Sequence, residues 1–271
     1  IKFGNLRCKK FNYLGNNIEN TIDYLSLLNS NYIDEEYYLI GTVKEYKNNK
    51  FSQTKSLDKA NKIFVSSDDI NNIEVEFESK IINLYHSGSN QFHIFGKGLL
   101  DDWKINLIGK ELSNKEKMLN ETTFTGCLTI YNLELKNIKI NAKDTNCEDA
   151  INIVRSFGHI KNINIENSFS DGLDLDFSKL NIENISIINS GNDCVDFSFG
   201  EYTINKLELN YCQDKAISIG EETKFEAQEI NIQLSKDGVA VKDSSKANIF
   251  EANIDVYESC IGLYRKKQEF G

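Results

Sequence analysis

The chain has 271 residues, of which 40% are hydrophobic, and its formal net charge is −10. This length and apolar content are enough for a sizeable core in one elongated unit or two domains. The excess of negative charge argues against nucleic-acid binding through phosphates. The sequence contains no run of about 18 apolar residues, so no membrane-spanning helix is predicted. Because the chain begins at Ile1, we expect it to be linked to further domains in a longer protein.

The first part of the chain, residues 1–79, lacks the pattern that dominates the rest. We interpret it as an N-terminal capping region or small domain of mixed α and β structure. A capped amphipathic helix is predicted over residues 17–29, where apolar residues share one face. Strands are predicted over residues 38–43, 62–65 and 73–77, and then over 81–85, 92–95 and 103–108 as early rungs. Residues 111–121 are polar and predict a loop or short helix.

A period of 22 residues is clear from about Gly126 onward. Each repeat holds two alternating runs, and the residue that starts the first run is called the opener below. The openers are Asp149, Asp171, Asp193, Lys215, Asp237 and Ser259. Alternation of apolar and polar residues is typical of strands with one buried face, and a fixed period of this length indicates a solenoid.

Two solenoids have repeats of this length. The spacing of Ile204, Leu207, Leu209 and Cys212 matches a leucine-rich repeat, in which a helix or 3₁₀ segment follows the strand. Here the remainder of the repeat alternates as a second strand, which favours a parallel β-helix. Right-handedness follows from the preference of parallel crossovers. The predicted fold class is therefore all-β, a right-handed parallel β-helix over residues 80–271.

Residues one, three and five after each opener are predicted to point outward. The first of these columns contains only small residues: Ala150, Gly172, Cys194, Ala216, Gly238 and Cys260. Such a column predicts either the floor of a shallow groove, which would suit a sugar polymer, or room for a covering loop.

Three carboxylates, Asp174, Asp176 and Asp196, are predicted on this outward face. Strand geometry places adjacent rungs about 4.8 Å apart and same-face neighbours about 6.6 Å apart, so the Asp176–Asp196 diagonal is roughly 8 Å. That separation suits inverting glycoside hydrolysis, in which a water fits between acid and base. The same oxygens are candidates for a Ca²⁺ site, and a solvated acidic face is the third interpretation.

The opener column and the cysteines lead to further expectations. Lys215 can neutralise Asp193 and Asp237, although an aspartate before a strand also commonly forms an Asx-turn. The six cysteines show no metal-ligand spacing, and Cys194 and Cys260 lie three rungs apart, too far to bond. We therefore expect mostly reduced cysteines and, mildly, a reducing compartment. The three histidines are expected at the surface or in caps, without forming a group: His86, His93 and His159.

The blocks carry a family resemblance. They read Ser170-Asp171-Gly172, Asn192-Asp193-Cys194, Asp214-Lys215-Ala216-Ile217-Ser218-Ile219-Gly220 and Ala240-Val241-Lys242. The order and spacing of these blocks resemble the motifs of polygalacturonases and related pectin-type glycoside hydrolases. Those enzymes are right-handed β-helices with N-T-D, D-D-C, G-H-G-L-S-I-G and R-I-K motifs on successive rungs. Asn192 replaces one of the paired aspartates, Lys215 the histidine and Ala240 the arginine. The resemblance therefore carries over only Asp171, Asp193 and Lys242.

Strings such as Gly126-Cys-Leu-Thr and Cys147-Glu-Asp-Ala are also similar to poorly characterised bacterial β-helix modules. Those modules belong to larger surface or polysaccharide-related chains, so this resemblance implies a cell-surface or secreted protein.

The sequence thus predicts a carbohydrate-active β-helix that acts on a polysaccharide by glycoside hydrolysis, with a lyase as a variant. The catalytic candidates are Asp171, Asp193, Asp174, Asp176 and Asp196, and the substrate-binding candidates are Lys215, Lys242, Asn192, Tyr264 and Arg265. No cofactor is expected unless Ca²⁺ binds Asp174, Asp176 and Asp196. The alternative is a non-catalytic glycan-binding or scaffolding module.

Overall fold

The computed structural model describes residues 2–10, 53–67, 69–87, 90–110 and 124–270. The strands are β1 (Lys2–Lys10), β2 (Gln53–Asp58), β3 (Ile63–Ser67), β4 (Ile73–Glu76), β5 (Ile81–Tyr85), β6 (Phe92–Gly96), β7 (Leu99–Asp101), β8 (Lys104–Ile108), β9 (Gly126–Tyr131), β10 (Glu134–Thr145), β11 (Asp149–Val154), β12 (Phe157–Ser168), β13 (Asp171–Asp176), β14 (Lys179–Ser190), β15 (Val195–Ser198), β16 (Glu201–Cys212), β17 (Lys215–Gly220), β18 (Lys224–Lys242) and β19 (Lys246–Tyr264). A short 3₁₀ helix spans Ile70–Asn72.

Two parallel sheets run along the solenoid. The first-run sheet contains β6, β9, β11, β13, β15, β17 and the second halves of β18 and β19. The second-run sheet contains β5, β8, β10, β12, β14, β16 and the first halves of β18 and β19. The second runs β10, β12, β14 and β16 are strands of 12 residues, not helices. The prediction of a parallel β-helix is confirmed, and the leucine-rich alternative is wrong.

The core consists of columns of branched side chains that stack from rung to rung. One column contains Ile151, Leu173, Val195 and Ile217, each with no exposed surface. Side chains alternate across a strand. The residue that follows each buried residue of this column, such as Asp174 after Leu173, therefore points to the outer face. The repeated core therefore holds the outward side chains at fixed positions.

Strands from the N-terminal part of the chain pair with both ends of the solenoid. β1 pairs in parallel with β19, from Lys2 opposite Asn248 to Lys10 opposite Val256. At the other end β2, β3 and β6 pair antiparallel, as do β4 and β5. The helix predicted over residues 17–29, the strand over 38–43 and the loop over 111–121 lie outside the described residues. In the described part no helix is long and apolar enough to cross a membrane.

The column of small residues lies inside the solenoid, so its predicted outward orientation is wrong. Ala150, Cys194 and Ala216 have no exposed surface and belong to the main core. A Cβ on Gly172 would come within 3.1 Å of the core side chain of Ile187. The residue after each opener and the one that follows it both face inward, because strict alternation starts only after the bend at the opener. The small side chains make room for that bend.

The expectation of reduced cysteines is also wrong. The six cysteines form the pairs Cys8–Cys260, Cys127–Cys147 and Cys194–Cys212, with Cα–Cα distances of 6.1, 5.3 and 5.4 Å. One partner in each pair occupies the inward column of small residues, which Cys127 extends by one rung because Gly126 pairs with Asp149. From there it reaches sideways to another element, whereas Cys194 and Cys260, in the same column, do not bond. Three disulfides are typical of proteins that fold in an oxidising compartment.

Candidate functional site

Two columns of side chains lie on the outer face of the first-run sheet. Three residues after the opener come Asn152, Asp174, Asp196 and Ser218, which are direct neighbours in the sheet. Five residues after the opener the order is Val154, Asp176, Ser198, Gly220 and Lys242. The structure thus brings the predicted carboxylates Asp174, Asp176 and Asp196 onto one face.

Asp174 and Asp176 form a carboxyl pair that Asn152 holds. The Nδ2 group of Asn152 donates to Asp174 Oδ2 at 3.3 Å and to Asp176 Oδ2 at 3.1 Å. Burial raises the pKa of Asp174 well above its usual range, and the charges of Asp176, Asp149 and Asp196 raise it further. Burial raises the pKa of Asp176 to about 7, although hydrogen bonds from Asn152 and Asp174 oppose the rise. The pair therefore holds protons at pH values where ordinary aspartates are ionised.

Asp196 has a different environment. Its side chain is 27% exposed, and its Oδ2 lies 4.0 Å from the Nζ of Lys242, whose side chain is only 3% exposed. Lys242 passes over Gly220, where an added Cβ would lie 3.1 Å from Lys242 Cε. Burial opposes the charge on Lys242, but Asp196, Asp193 and Glu221 outweigh this effect and raise its pKa. A carboxyl pair with raised pKa values and a carboxyl beside a lysine ammonium thus lie next to each other.

The predicted catalytic residues Asp171 and Asp193 are engaged in structural hydrogen bonds. Asp171 Oδ1 accepts from the backbone N–H of Asp193 at 2.9 Å and from Asn192 Nδ2 at 2.7 Å. Asp193 Oδ1 accepts from the backbone N–H of Lys215 at 2.9 Å. Burial raises the pKa of Asp193 to about 6, with Lys215 opposing the rise, and burial together with Asp193 raises that of Asp171 well above its usual range. These carboxyls cap the start of the next rung.

Lys215 is already neutralised by neighbours. Its Nζ contacts Asp214 Oδ2 and lies 3.4 Å from Asp193 Oδ1. Lys236 donates to the other Asp214 oxygen at 2.9 Å. Burial would lower the pKa of Lys215, but Asp193 and Asp214 raise it above its usual range. Lys215 and Asn192 are therefore occupied, and Lys242 is the predicted cation that approaches the outward carboxylates.

The last described residues fold over the same face. The buried Asp243 accepts from the backbone N–H groups of Lys266 and Lys267 at 2.7 and 2.9 Å. Lys267 Nζ lies 2.6 Å from Glu221 Oε1, and Glu221 Oε2 accepts from the Ser198 hydroxyl at 2.6 Å. These contacts position the segment beside Lys242.

Two candidates from this end remain exposed. The side chain of Tyr264 is 44% exposed, and its ring lies over Gly262. Arg265 is also exposed. Both are therefore accessible to a ligand at the end of the face.

A column of turn residues beside the carboxylates was missed from the sequence. Arg155, Phe177, Phe199, Glu221 and Asp243 follow one another at 22 residues, and all have a left-handed backbone with φ between 49 and 53°. The Phe177 and Phe199 rings stack at 4.6 Å, and the Arg155 guanidinium lies 5.8 Å from the Phe177 ring centroid. Bulky residues are unusual at positive φ. The sequence does show that a large or charged residue recurs six residues after each of these openers, and this recurrence was the available signal.

Possible metal ligands converge elsewhere. In the described ranges, only His86, Cys127 and Cys147 bring three ligand atoms of histidine, cysteine or carboxylate within 4.8 Å of one another. The predicted Ca²⁺ ligands do not converge in this way, and Ca²⁺ binding stays a prediction. Of the two expected positions, surface or cap, burial excludes the surface for His86 and His93. His159 lies 3.0 Å from Glu183 at the surface.

Comparison with known proteins adds no relative. No protein-family profile matches the chain, no curated protein matches it, and no solved structure matches it. The likeness to polygalacturonase motifs therefore rests on the residues quoted from the sequence.

Proposed function

We propose that this chain is a carbohydrate-active β-helix that hydrolyses a polysaccharide at the outer face of the first-run sheet. The observation that carries the proposal is the contrast between the Asp174–Asp176 pair, whose pKa values burial raises, and the neighbouring Asp196, which is 27% exposed and lies beside Lys242. Carboxyls with raised pKa values beside a second carboxyl in another environment are typical of acid–base catalysis. Asp176 is the proposed general acid, because its pKa of about 7 leaves it substantially protonated near neutral pH.

Asp196 is the proposed base that activates water. It is more exposed than Asp174, and Lys242 supplies an ion-pair partner 4.0 Å from its Oδ2. The expected diagonal of roughly 8 Å between Asp176 and Asp196 leaves room for a water, as in inverting glycosidases. Asn152 and Asp174 are positioning residues, because they hold the Asp176 carboxyl. Asp171 and Asp193 leave the catalytic set in this proposal, since backbone N–H groups occupy them.

The sugar polymer is proposed to lie along the solenoid axis. Arg155, Phe177 and Tyr264 flank the carboxylates and offer exposed surface of the kind that contacts sugar rings. In the lyase variant, Lys242 would instead neutralise a uronate carboxylate while a base removes a proton.

A non-catalytic glycan-binding or scaffolding module is the second candidate. The burial of the outward column favours it, because Asn152 is 2% exposed, Asp174 7% and Ser218 not at all. A surface that binds without reacting needs no more access than Asp196 and Asp176 already have.

The experiment compares catalysis with binding on the same glycans. The protein is incubated with bacterial and plant polysaccharides, and new reducing ends and the absorbance of unsaturated uronates are measured, with binding followed on a glycan array. Hydrolysis predicts reducing ends without unsaturated products. Retained binding without either product would refute the enzyme and support the second candidate.

Matched variants then test the residue roles. Asp176→Asn and Asp196→Asn should each lower kcat at least about 100-fold, the lower range for loss of general acid–base catalysis. Asp237→Asn changes the same functional group in the opener column and should retain activity. Equal activity in Asp196→Asn and Asp237→Asn would show that the site is assigned wrongly.

A further inference from the structure

A second cluster of reactive side chains lies apart from the carboxylates, where β5 ends and β10 turns into β11. It contains His86, Asn146, Cys127 and Cys147, of which none is more than 7% exposed. The Nε2 atom of His86 lies 3.4 Å from Cys127 Sγ and contacts Asn146 Oδ1. The ligand atoms of His86, Cys127 and Cys147 all lie within 4.8 Å of one another.

The hydrogen bonds of His86 fix which ring nitrogen is free. Its Nδ1 lies 2.8 Å from the carbonyl oxygen of Asn90, which can only accept, so Nδ1 carries the proton. Nε2 of the neutral ring is then an acceptor, and it lies 3.4 Å from Cys127 Sγ, where a bound cation would meet its lone pair. A histidine that donates its second N–H to a backbone carbonyl is the usual arrangement of a metal ligand.

The surroundings of the sulfur atoms also favour metal binding. The backbone N–H of Cys147 donates to Cys127 Sγ at 3.2 Å, which stabilises negative charge on that sulfur. Two thiolates, one imidazole and one amide oxygen form a four-ligand set that suits tetrahedral Zn²⁺. Two thiolates offset the charge of the ion, so the buried complex carries no net charge. Around Zn²⁺ the sulfurs would lie about 3.7 Å apart, as Zn–S bonds of about 2.3 Å require.

We propose that the reduced Cys127–Cys147 pair binds Zn²⁺ together with His86 and Asn146, and that disulfide formation releases the ion. A dithiol reductant transfers two electrons and two protons to the S–S bond, which becomes two thiols while the reductant becomes a disulfide. Zn²⁺ then displaces the two thiol protons to form two Zn–S bonds. In reverse, oxidised glutathione takes two electrons from the two zinc-bound thiolates and two protons from water and becomes two thiols, which leaves the protein S–S bond and free Zn²⁺. The site is a redox-controlled zinc site, independent of the proposed glycan chemistry.

The Cys194–Cys212 disulfide is a matched control within the same chain. Its cysteines are separated by 18 residues, against 20 for Cys127 and Cys147, and it also closes one rung. Within the described ranges no histidine or carboxylate joins it in a metal-ligand group. The Cys194→Ala/Cys212→Ala variant should therefore keep the zinc site.

The test uses Co²⁺ as a spectroscopic substitute for Zn²⁺. The chain is reduced with a phosphine under argon, freed of reductant and titrated with Co²⁺. We expect one equivalent to produce thiolate-to-cobalt charge-transfer and tetrahedral d–d bands, which Zn²⁺ abolishes. The oxidised chain should produce neither, and oxidised glutathione should release Zn²⁺ to a chromogenic chelator. Absence of thiolate bands in the reduced chain would overturn the proposal.

Variants assign the ligands. His86→Ala should weaken Co²⁺ binding at least about 10-fold, the effect of losing even an outer-shell partner, whereas the control variant should bind like the native chain. Asn146→Asp supplies an anionic oxygen at the same place and should bind at least as tightly. It also keeps the proposal testable if His86→Ala loses its β-sheet circular dichroism. Unchanged binding in folded His86→Ala, or loss of binding in folded Asn146→Asp, would contradict the ligand set.

Discussion

Asp176→Asn should change how stability depends on pH. The folded pKa of Asp176 is about 7, against an ordinary value of 3.8, mainly because the carboxyl is buried and close to Asp196. Between these values the folded chain holds a proton that the unfolded chain has lost, so stability falls as pH rises. The difference corresponds to about 4 kcal/mol lost between pH 4 and pH 8. Asparagine keeps the shape of the side chain but does not ionise.

The assay is urea unfolding of the native chain and of Asp176→Asn at several pH values. The two should have similar free energies of unfolding near pH 3, below both pKa values, where Asp176 is largely protonated in both states. Near pH 8 the variant should be more stable by up to about 4 kcal/mol. Curves that stay parallel from pH 4 to pH 8 would refute the account of a buried, protonated Asp176. Greater stability with lost catalysis would fit a strained functional group.

Three other changes have expected outcomes. Cys194→Ala/Cys212→Ala should lower the free energy of unfolding by about 3 kcal/mol in urea, because the disulfide closes a short loop. Tyr202→Phe should cost about 1–2 kcal/mol in the same assay, since the buried hydroxyl donates to the Leu175 carbonyl at 2.8 Å; no change would mean that water replaces it. Gly220→Ala should displace Lys242, because the added Cβ would lie 3.1 Å from Lys242 Cε. The variant should have a lower kcat and an unchanged circular dichroism spectrum, and a native kcat would show that the position of Lys242 does not matter for catalysis.

The fold was predictable because its signal repeats. Residues such as Leu173 and Leu175 recur at 22 residues with apolar side chains, and their burial needs only the alternation of a strand. The same logic placed Asp174, Asp176 and Asp196 on one face. Alternation could not distinguish the structural carboxyls Asp171 and Asp193 from these three. Their hydrogen bonds to backbone N–H groups of the next rung cannot be read from the sequence.

The errors about the small residues and the cysteines share one physical cause. Alternation was applied from the opener onward, whereas the chain is still bending at Gly172 and its counterparts, so small residues that make room inside were placed outside. With Cys194 assigned to the surface, its lateral neighbour Cys212 was not considered. The error about His86 has another cause, because its proximity to Cys127 depends on how segments distant in the sequence stack.

The pairing of β1 with β19 has a mechanical consequence. The Cys8–Cys260 bond joins residues 252 positions apart and fastens β1 to the last rung. A force that pulls on residues outside this loop is carried by the disulfide, so the rungs between do not bear the load. After reduction each 22-residue rung could extend to about 75 Å before the next one yields. The oxidised chain thus resists a pull applied to its two ends, and the reduced chain extends under it.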